Sequence, residues 1–475
     1  MTFTGEVVIG LEIHVQLDTA TKLFCGCPTK QSAVGEEQPN TRCCPTCLGF
    51  PGSKPVANKK AIEYALRLCL ALGCSLSETL VFSRKSYFYP DLAKNYQITQ
   101  YELPLGTCGS MTLSSGKKVG LTRVHLEEDP AALVHPGTLE RSSFVLIDYN
   151  RSGIPLCEVV TKPDMASPDE ARDFMKKLSA ILEYLEIFNS ETCVVKADAN
   201  VSIKESGYVR SEIKNITGFK EIERALFYEV RRQKAAVAAG EKLMQDTRGW
   251  DADKGLSIRL RKKETEEDYG YILDTDIPVI DITPDWVAAV KNTLPELPEE
   301  KVKKFVSAHK IPEADAVVLA QEKLLAEMFE KVAEKIDPAL AAKWLRRELL
   351  RVMNMNKQEF KDLLIDEKHM IELLELVATK QITDRTAQKM LEELIIAPFS
   401  PKQHVKEKGL GAVSDTSIIT TYCKEAIAEN PAVVSDYKQG NEKAFHFLVG
   451  VVMKKSKGKA VPGEVNSAML RLLSL

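Results

Sequence analysis

The chain has no run of about 18 uninterrupted apolar residues, the length a membrane-crossing helix needs. Its opening, MTFTGEVVIGLEIH, shows no basic segment leading into an apolar stretch. Export and membrane insertion are therefore not expected, and the cytoplasm is the expected location. Neither sign of charge prevails, because 64 Lys and Arg stand against 67 Asp and Glu. With a net charge of −3, contact with a polyanion must come from local patches rather than a broad basic field. The eleven cysteines are odd in number, and in a signal-free chain they read as thiols and metal ligands rather than a disulfide framework. No G-x-x-x-x-G-K-[ST] loop is present, which excludes a Walker-type nucleotide site, and there is no G-x-S-x-G elbow. Internal repeats and low-complexity tracts are also missing.

What is present is the balance of an ordinary globular protein, 44% apolar and 28% charged over 475 residues. That length exceeds one hydrophobic core and suggests roughly two to four domains. Up to about residue 285 the text consists of short alternating runs broken by turns such as YPDL, RSG and ESG. One helix interrupts it at SPDEARDFMKKLSAILEYLEIF, with Ser167 as N-cap, Pro168 at the first position and Glu170 completing a capping box. A second is expected at KEIERALFYEVRRQKAAVAAGEKL. Beyond Pro295 long helical patterns take over, as in PALAAKWLRRELLRVM, and prolines and glycines break that rhythm near residue 405. The boundaries expected are 1–292, 293–405 and 406–475.

Cys25-Gly-Cys27 and Cys44-x-x-Cys47 form two close pairs separated by a loop. Four thiolates close a tetrahedron around zinc and leave no position for substrate, so a structural site is expected. Cys43 adjoins the second pair, but the x-x spacing of Cys44 and Cys47 is the better match to a zinc knuckle.

In VVIGLEIHVQL, Val7, Ile9, Leu11, Ile13, Val15 and Leu17 share one face, and Glu12, His14 and Gln16 share the other. CVVKADANVSI repeats the pattern, with Lys196, Asp198, Asn200 and Ser202 opposite the apolar set. Asp148 and Asn150 share a face in SFVLIDYN, as do Arg210, Glu212 and Lys214 in VRSEIK. A solvated outer face would explain any one strand. Repeated short Asp, Asn and His beside Glu are instead the ligand types favoured near divalent ions. HLEEDPA adds His125, Glu127, Glu128 and Asp129, with either glutamate able to face the site. SRKSYFYPDLAKNYQITQ interleaves Arg84, Lys85 and Lys94 with aromatics, as a site holding a phosphoryl group would require.

These segments, with IDYNRSGIPLCEVVTKPD, R-x-E-I-K-N and QDTRGWD, resemble the B subunit of the aspartyl/glutamyl-tRNA amidotransferase family, densely over residues 7 to 255. The tail NPAVVSDYKQGNEKAFHFLVGVVMKKSKGKAVP is similar to that family's tRNA-binding module. With the strand and helix patterns, the resemblance implies an α+β fold. An antiparallel-sheet cradle with flanking helices and the zinc site would precede an all-helical domain and a small helical tail. It implies ATP-dependent phosphorylation of the side-chain carboxylate of tRNA misacylated with Glu or Asp, followed by amidation. Glu12, His14, Glu128, Asp198 and Asn200 would form the metal and phosphate shell with Mg2+. Asp148 and Glu158 would support it, and Arg84, Lys85 and Lys214 would neutralise developing charge. No amidase nucleophile motif is visible, so the implied partners are an amidase A subunit supplying ammonia and a small C subunit, in a heterotrimer. Misacylated tRNA would meet the cradle at its acceptor end and the tail through its body, where Lys454, Lys455, Lys457 and Lys459 form a basic patch.

The chain departs from the family in RLRKKETEEDYGYILDTDIP, where Gly270 stands at an expected arginine, so no site residue is assigned between 256 and 280. The competing reading is a non-catalytic, zinc-stabilised tRNA-binding scaffold whose acidic strands are structural.

Overall fold

The computed structural model of the chain describes residues 5–31, 37–136, 144–261, 270–411, 416–456 and 459–474. Contacts divide the chain into two compact units, Met1–Leu297 and Pro298–Leu475.

The first unit is built on a ten-stranded sheet. Its longer strands are β1 (Val7–Gln16), β2 (Lys118–Glu128), β3 (Pro155–Thr161), β4 (Val195–Ile203), β5 (Ser211–Thr217), β6 (Asp246–Asp251) and β7 (Leu256–Arg261). Their spatial order is β7-β6-β5-β4-β1-β3-β2, and short strands continue the sheet beyond β2. β1 therefore lies among the central strands, which suits its unbroken alternation. Val7, Ile9, Leu11, Ile13 and Val15 are buried, and each such side chain contributes roughly 1.5–3 kcal/mol relative to exposure.

Helices α1 (Lys59–Ala71), α2 (Pro168–Tyr184) and α3 (Phe219–Ala238) supply the other half of that core. Phe174, Met175, Leu178 and Leu182 from α2 join Ile222, Ala225 and Leu226 from α3 in one cluster with the odd-numbered residues of β1. Ser167 caps α2 as expected, its Oγ accepting from the Glu170 amide at 3.2 Å. The capping box itself does not close on Ser167. Glu170 accepts instead from the Ala166 amide, 2.8 Å, and from Lys117, 2.8 Å, because a cation from a neighbouring segment competes for its carboxylate.

The sheet is antiparallel among these strands except at β5 and β6, which run parallel. The exception follows from α3, which connects the two: a strand-helix-strand crossover returns the chain in its original direction. Three smaller sheets accompany the main one among the described residues, the smallest pairing Thr79–Leu80 with Ile280–Asp281. Ser83–Ser86 pairs with both Tyr96–Thr99 and Gly270–Leu273, and Ala132–Val134 pairs with Leu146–Asp148.

The second unit is helical throughout its regular structure among the described residues. The segment PALAAKWLRRELLRVM forms a helix capped by Asp337, and a π-helical stretch at Trp344–Leu349 runs into Leu350–Asn356. Toward its end, helices Thr416–Glu429, Glu442–Lys455 and Pro462–Leu473 enclose Ile419, Cys423, Leu448, Val452, Val465 and Met469. No described helix is long and apolar enough to cross a membrane.

Candidate functional site

The odd residues of β1 enter the core, so its even residues stand on the sheet's other face. Pairing decides what they meet. His14 lies opposite Glu158 of β3 on one side and Lys196 of β4 on the other, and Glu158 in turn lies opposite His125 of β2. One step along, Glu12 lies opposite Asp198, and one step further Asn200 lies opposite Glu212. Residues far apart in sequence thus form rows across one polar surface.

Three ligand-type groups converge there. His14 Nε2 stands 3.4 Å from Glu127 Oε1 and 3.4 Å from Glu158 Oε2, and one atom from each of the three lies within 4.8 Å of the others. Beside them Asn200 Nδ2 donates to Glu12 Oε1 at 3.1 Å. Lys214 Nζ donates to Asp198 Oδ2 at 2.9 Å and lies 3.6 Å from Glu212. His14 keeps 26% of its side chain exposed, so the cluster opens to solvent on this face.

The charges are strongly coupled. Burial opposes a proton on His14, but Glu158, Glu127 and Asp198 outweigh it and push its pKa up to about 10. Burial, and then the charge of Glu158, pushes Glu127 up to about 7. Glu158 is held well below the usual carboxylate range, because His125 and His14 outweigh its own burial. Burial pushes His125 down to about 4. Lys214 is half-buried, and Asp198 and Glu212 outweigh that desolvation and raise its pKa. Arg123, 3.7 Å from Glu158, was not visible as a candidate, although it shares the alternation of His125 and Glu127. Its Nε and the Nδ1 of His125 are buried and have no hydrogen-bond partner among the described residues. Buried polar atoms left unpaired in this way mark a place where a ligand would complete the network.

The expected residues divide. Glu12, His14, Asp198, Asn200, Glu158 and Lys214 are on the polar face. Glu128 is not, because alternation turns it to the opposite side of β2 from Glu127. There it accepts from the Ile98 amide at 2.8 Å and pairs with Lys94. Asp148 is not there either. It sits on the small two-stranded sheet, where it accepts from the Asn40 amide at 2.8 Å and braces the cysteine loop. Its neighbour Asn150 does the same for the Arg42 amide at 2.7 Å. Arg84 is already matched by Asp274, 2.9 Å, and Asp276, 2.8 Å, and stacks on Tyr96. Lys85 points the other way, and its charge is felt at Glu127 and His125.

Cys25, Cys27, Cys44 and Cys47 form the second cluster, with Sγ atoms within 4.8 Å of one another. Cys47 Sγ is 3.4 Å from Cys25, 3.7 Å from Cys44 and 3.8 Å from Cys27. A tetrahedron with Zn–S bonds of about 2.3 Å has sulfur-sulfur edges of roughly 3.8 Å, so the spacing of the four thiols suits a zinc-sized ion. Cys43 turns away and donates to the Asn40 carbonyl at 3.2 Å. At Gly49, φ is +67° and a Cβ would come within 2.3 Å of Lys94, so only glycine lets the loop pass.

The tail patch is thinner than expected. Lys455 is matched by Glu425 and Glu429, Lys459 donates to the Gly409 carbonyl, and Lys457 lies outside the described residues. Lys454 remains exposed.

Comparison with known proteins adds an independent line. A family model described as GatB/GatE catalytic domain matches residues 7–288, and one described as GatB domain matches residues 327–473. Two relatives are named as the B subunit of aspartyl/glutamyl-tRNA(Asn/Gln) amidotransferase. That from Carboxydothermus hydrogenoformans is 40% identical over 474 residues, covering 98% of each chain. That from Thermodesulfovibrio yellowstonii is 41% identical over 479 residues, covering 98% of this chain and 99% of its own.

Proposed function

The chain belongs to the GatB family, and from that premise we propose that it is the B subunit of an aspartyl/glutamyl-tRNA amidotransferase that activates the aminoacyl carboxylate. The observation that carries the reading is the convergence of His14, Glu127 and Glu158 beside Glu12, Asp198, Asn200 and Lys214 on one open sheet face. A purely structural scaffold has no need to hold that many acids together.

The reaction runs in two displacements. A side-chain carboxylate oxygen of Glu or Asp on misacylated tRNA attacks the γ-phosphorus of ATP, and ADP leaves. Ammonia then attacks the acyl carbon, phosphate leaves, the nitrogen gives up a proton, and the amide remains. His14, Glu127 and Glu158 would hold a divalent cation, which supplies charge neutralisation at the phosphates when bound. One nitrogen beside two carboxylates suits manganese as well as magnesium. Asp198 and Glu12 extend the acidic shell, with Asn200 fixing Glu12 and Lys214 fixing Asp198. Lys85 and Arg123 offer positive charge toward the same face. Because no amidase nucleophile motif is present in the chain, ammonia comes from a partner protein. An amidase A subunit and a small C subunit complete the assembly, and the cytoplasm is its place. The four cysteines would hold a structural zinc ion, whose closed sulfur shell leaves no position for substrate.

With its amidase partner, the protein is expected to convert ATP to ADP only when misacylated tRNA and magnesium are both present. Undiminished turnover in Asp198→Ala would overturn the catalytic reading in favour of a tRNA-binding scaffold. Supplying Glu-tRNA(Gln) and Asp-tRNA(Asn) in parallel identifies the substrate.

A further inference from the structure

Lys22 lies three residues before Cys25, in TKLFCGC, and nothing in its sequence context sets it apart. In the fold its side chain is 0% exposed, among the largest that are fully enclosed. A buried ammonium is strongly disfavoured unless an anion and hydrogen-bond acceptors meet it. Among the described residues no carboxylate lies within ion-pair distance of Lys22. Its Nζ donates to the Tyr149 carbonyl at 3.1 Å and approaches Cys47 Sγ at 3.6 Å. The carbonyl is neutral, so the charge is answered by sulfur. The aliphatic stem packs beside Gly153, whose φ of +82° is what favours glycine there, since a Cβ would sit at an ordinary 3.5 Å from Lys22 Cδ.

We propose that Lys22 is the counter-ion of the four-thiolate zinc site. The inference rests on the zinc reading above and is independent of the amidation chemistry. Four thiolates around a divalent ion leave two net negative charges in a half-buried loop, and an ammonium against one sulfur removes one of them. Through the Tyr149 carbonyl, Lys22 also ties the cysteine loop to the segment in which Asp148 and Asn150 brace it. It is a positioning residue for the metal, acting through Cys47.

The test begins with the zinc content of the wild-type protein, where absence of zinc would overturn the proposal outright. Release of zinc to a chromogenic chelator is then followed for the wild type, Lys22→Met and Lys22→Gln. Both variants are expected to release zinc roughly 10–100-fold faster, the usual loss when an outer-shell partner is removed. A wild-type rate in Lys22→Met would sink the idea. A wild-type rate in Lys22→Gln alone would show that a neutral donor suffices and that charge is irrelevant. Should neither variant fold, reductive methylation of the wild-type protein decides. Lys22 is expected to become reactive when zinc is chelated, and equal protection with and without zinc would contradict a counter-ion role.

Discussion

The cysteine cluster and the polar face of the sheet both crowd like-charged ligand atoms together, and they are built in opposite ways. Every thiolate is carried by loop or turn backbone, whereas His14, Glu127 and Glu158 all project from strands. On the sheet, ladder hydrogen bonds and alternation position the side chains, and one direction stays open for substrate. In the loops no helix or strand carries the thiolates; local backbone bonds such as Lys22 N to the Cys27 carbonyl, 2.9 Å, and Leu48 N to the Cys44 carbonyl, 3.0 Å, close the turns, and side chains brace them from outside: Asp148 on Asn40, Asn150 on Arg42, and Asn58 on the carbonyls of Thr21 and Lys22. The strand-borne cluster is suited to turnover and the loop-borne one to permanence.

The sharpest way to break that contrast is to exchange neighbouring glutamates. Glu127→Gln is expected to lower amidation by about 100-fold or more, the scale of losing one preorganised electrostatic group. Glu128→Gln, on the opposite face, should stay within a few-fold, and steady-state ATP turnover with misacylated tRNA compares them. Equal losses would mean that strand alternation does not define the site.

Next in size, Cys44→Ser should remove zinc and lower the thermal midpoint clearly, while the fraction that stays folded keeps its turnover. Zinc content, calorimetry and activity measured on one sample separate the two clusters. Smaller again, Asp148→Ala leaves the Asn40 amide without its carboxylate, costing roughly 1–3 kcal/mol. It is expected to weaken zinc retention and spare the kcat that Asp148 was expected to support.

The smallest effect concerns protons. Because the neighbouring carboxylates push His14 up to about 10, the metal-free cradle carries a proton on that imidazole at neutral pH. A divalent ion must displace it, together with the part of a proton that Glu127, pushed up to about 7, still holds at neutral pH, so binding should release between one and two protons and tighten as pH rises. Titration calorimetry in buffers of different ionisation enthalpy reads the number directly, and no proton release would exclude His14 as a ligand.

Much of this was legible beforehand because some signals are local. The alternation in VVIGLEIHVQL and CVVKADANVSI separates Glu12, His14, Asp198 and Asn200 from the core, since a strand's side chains alternate wherever it pairs. The capped start of α2 and the two cysteine pairs are equally short-range. The choice between Glu127 and Glu128 was not legible, because it depends on how β2 aligns with β3 and β1. Asp148 was misplaced for a related reason. A short acidic residue before Asn looks the same whether it faces a metal or a loop amide, and only the approach of residues 40–42 distinguishes them.

By itself, then, the sequence determined which residues alternate, which cysteines pair, where helices begin and which family the motifs resemble. Tertiary structure alone decided that Glu127 rather than Glu128 meets His14, that Arg123 joins the cradle, that Asp148 braces the cysteine loop, and that Lys22 ends against Cys47. The physical reason is range. Alternation and capping are set within a few residues, whereas register and the meeting of charges across loops are settled only when distant segments pack together.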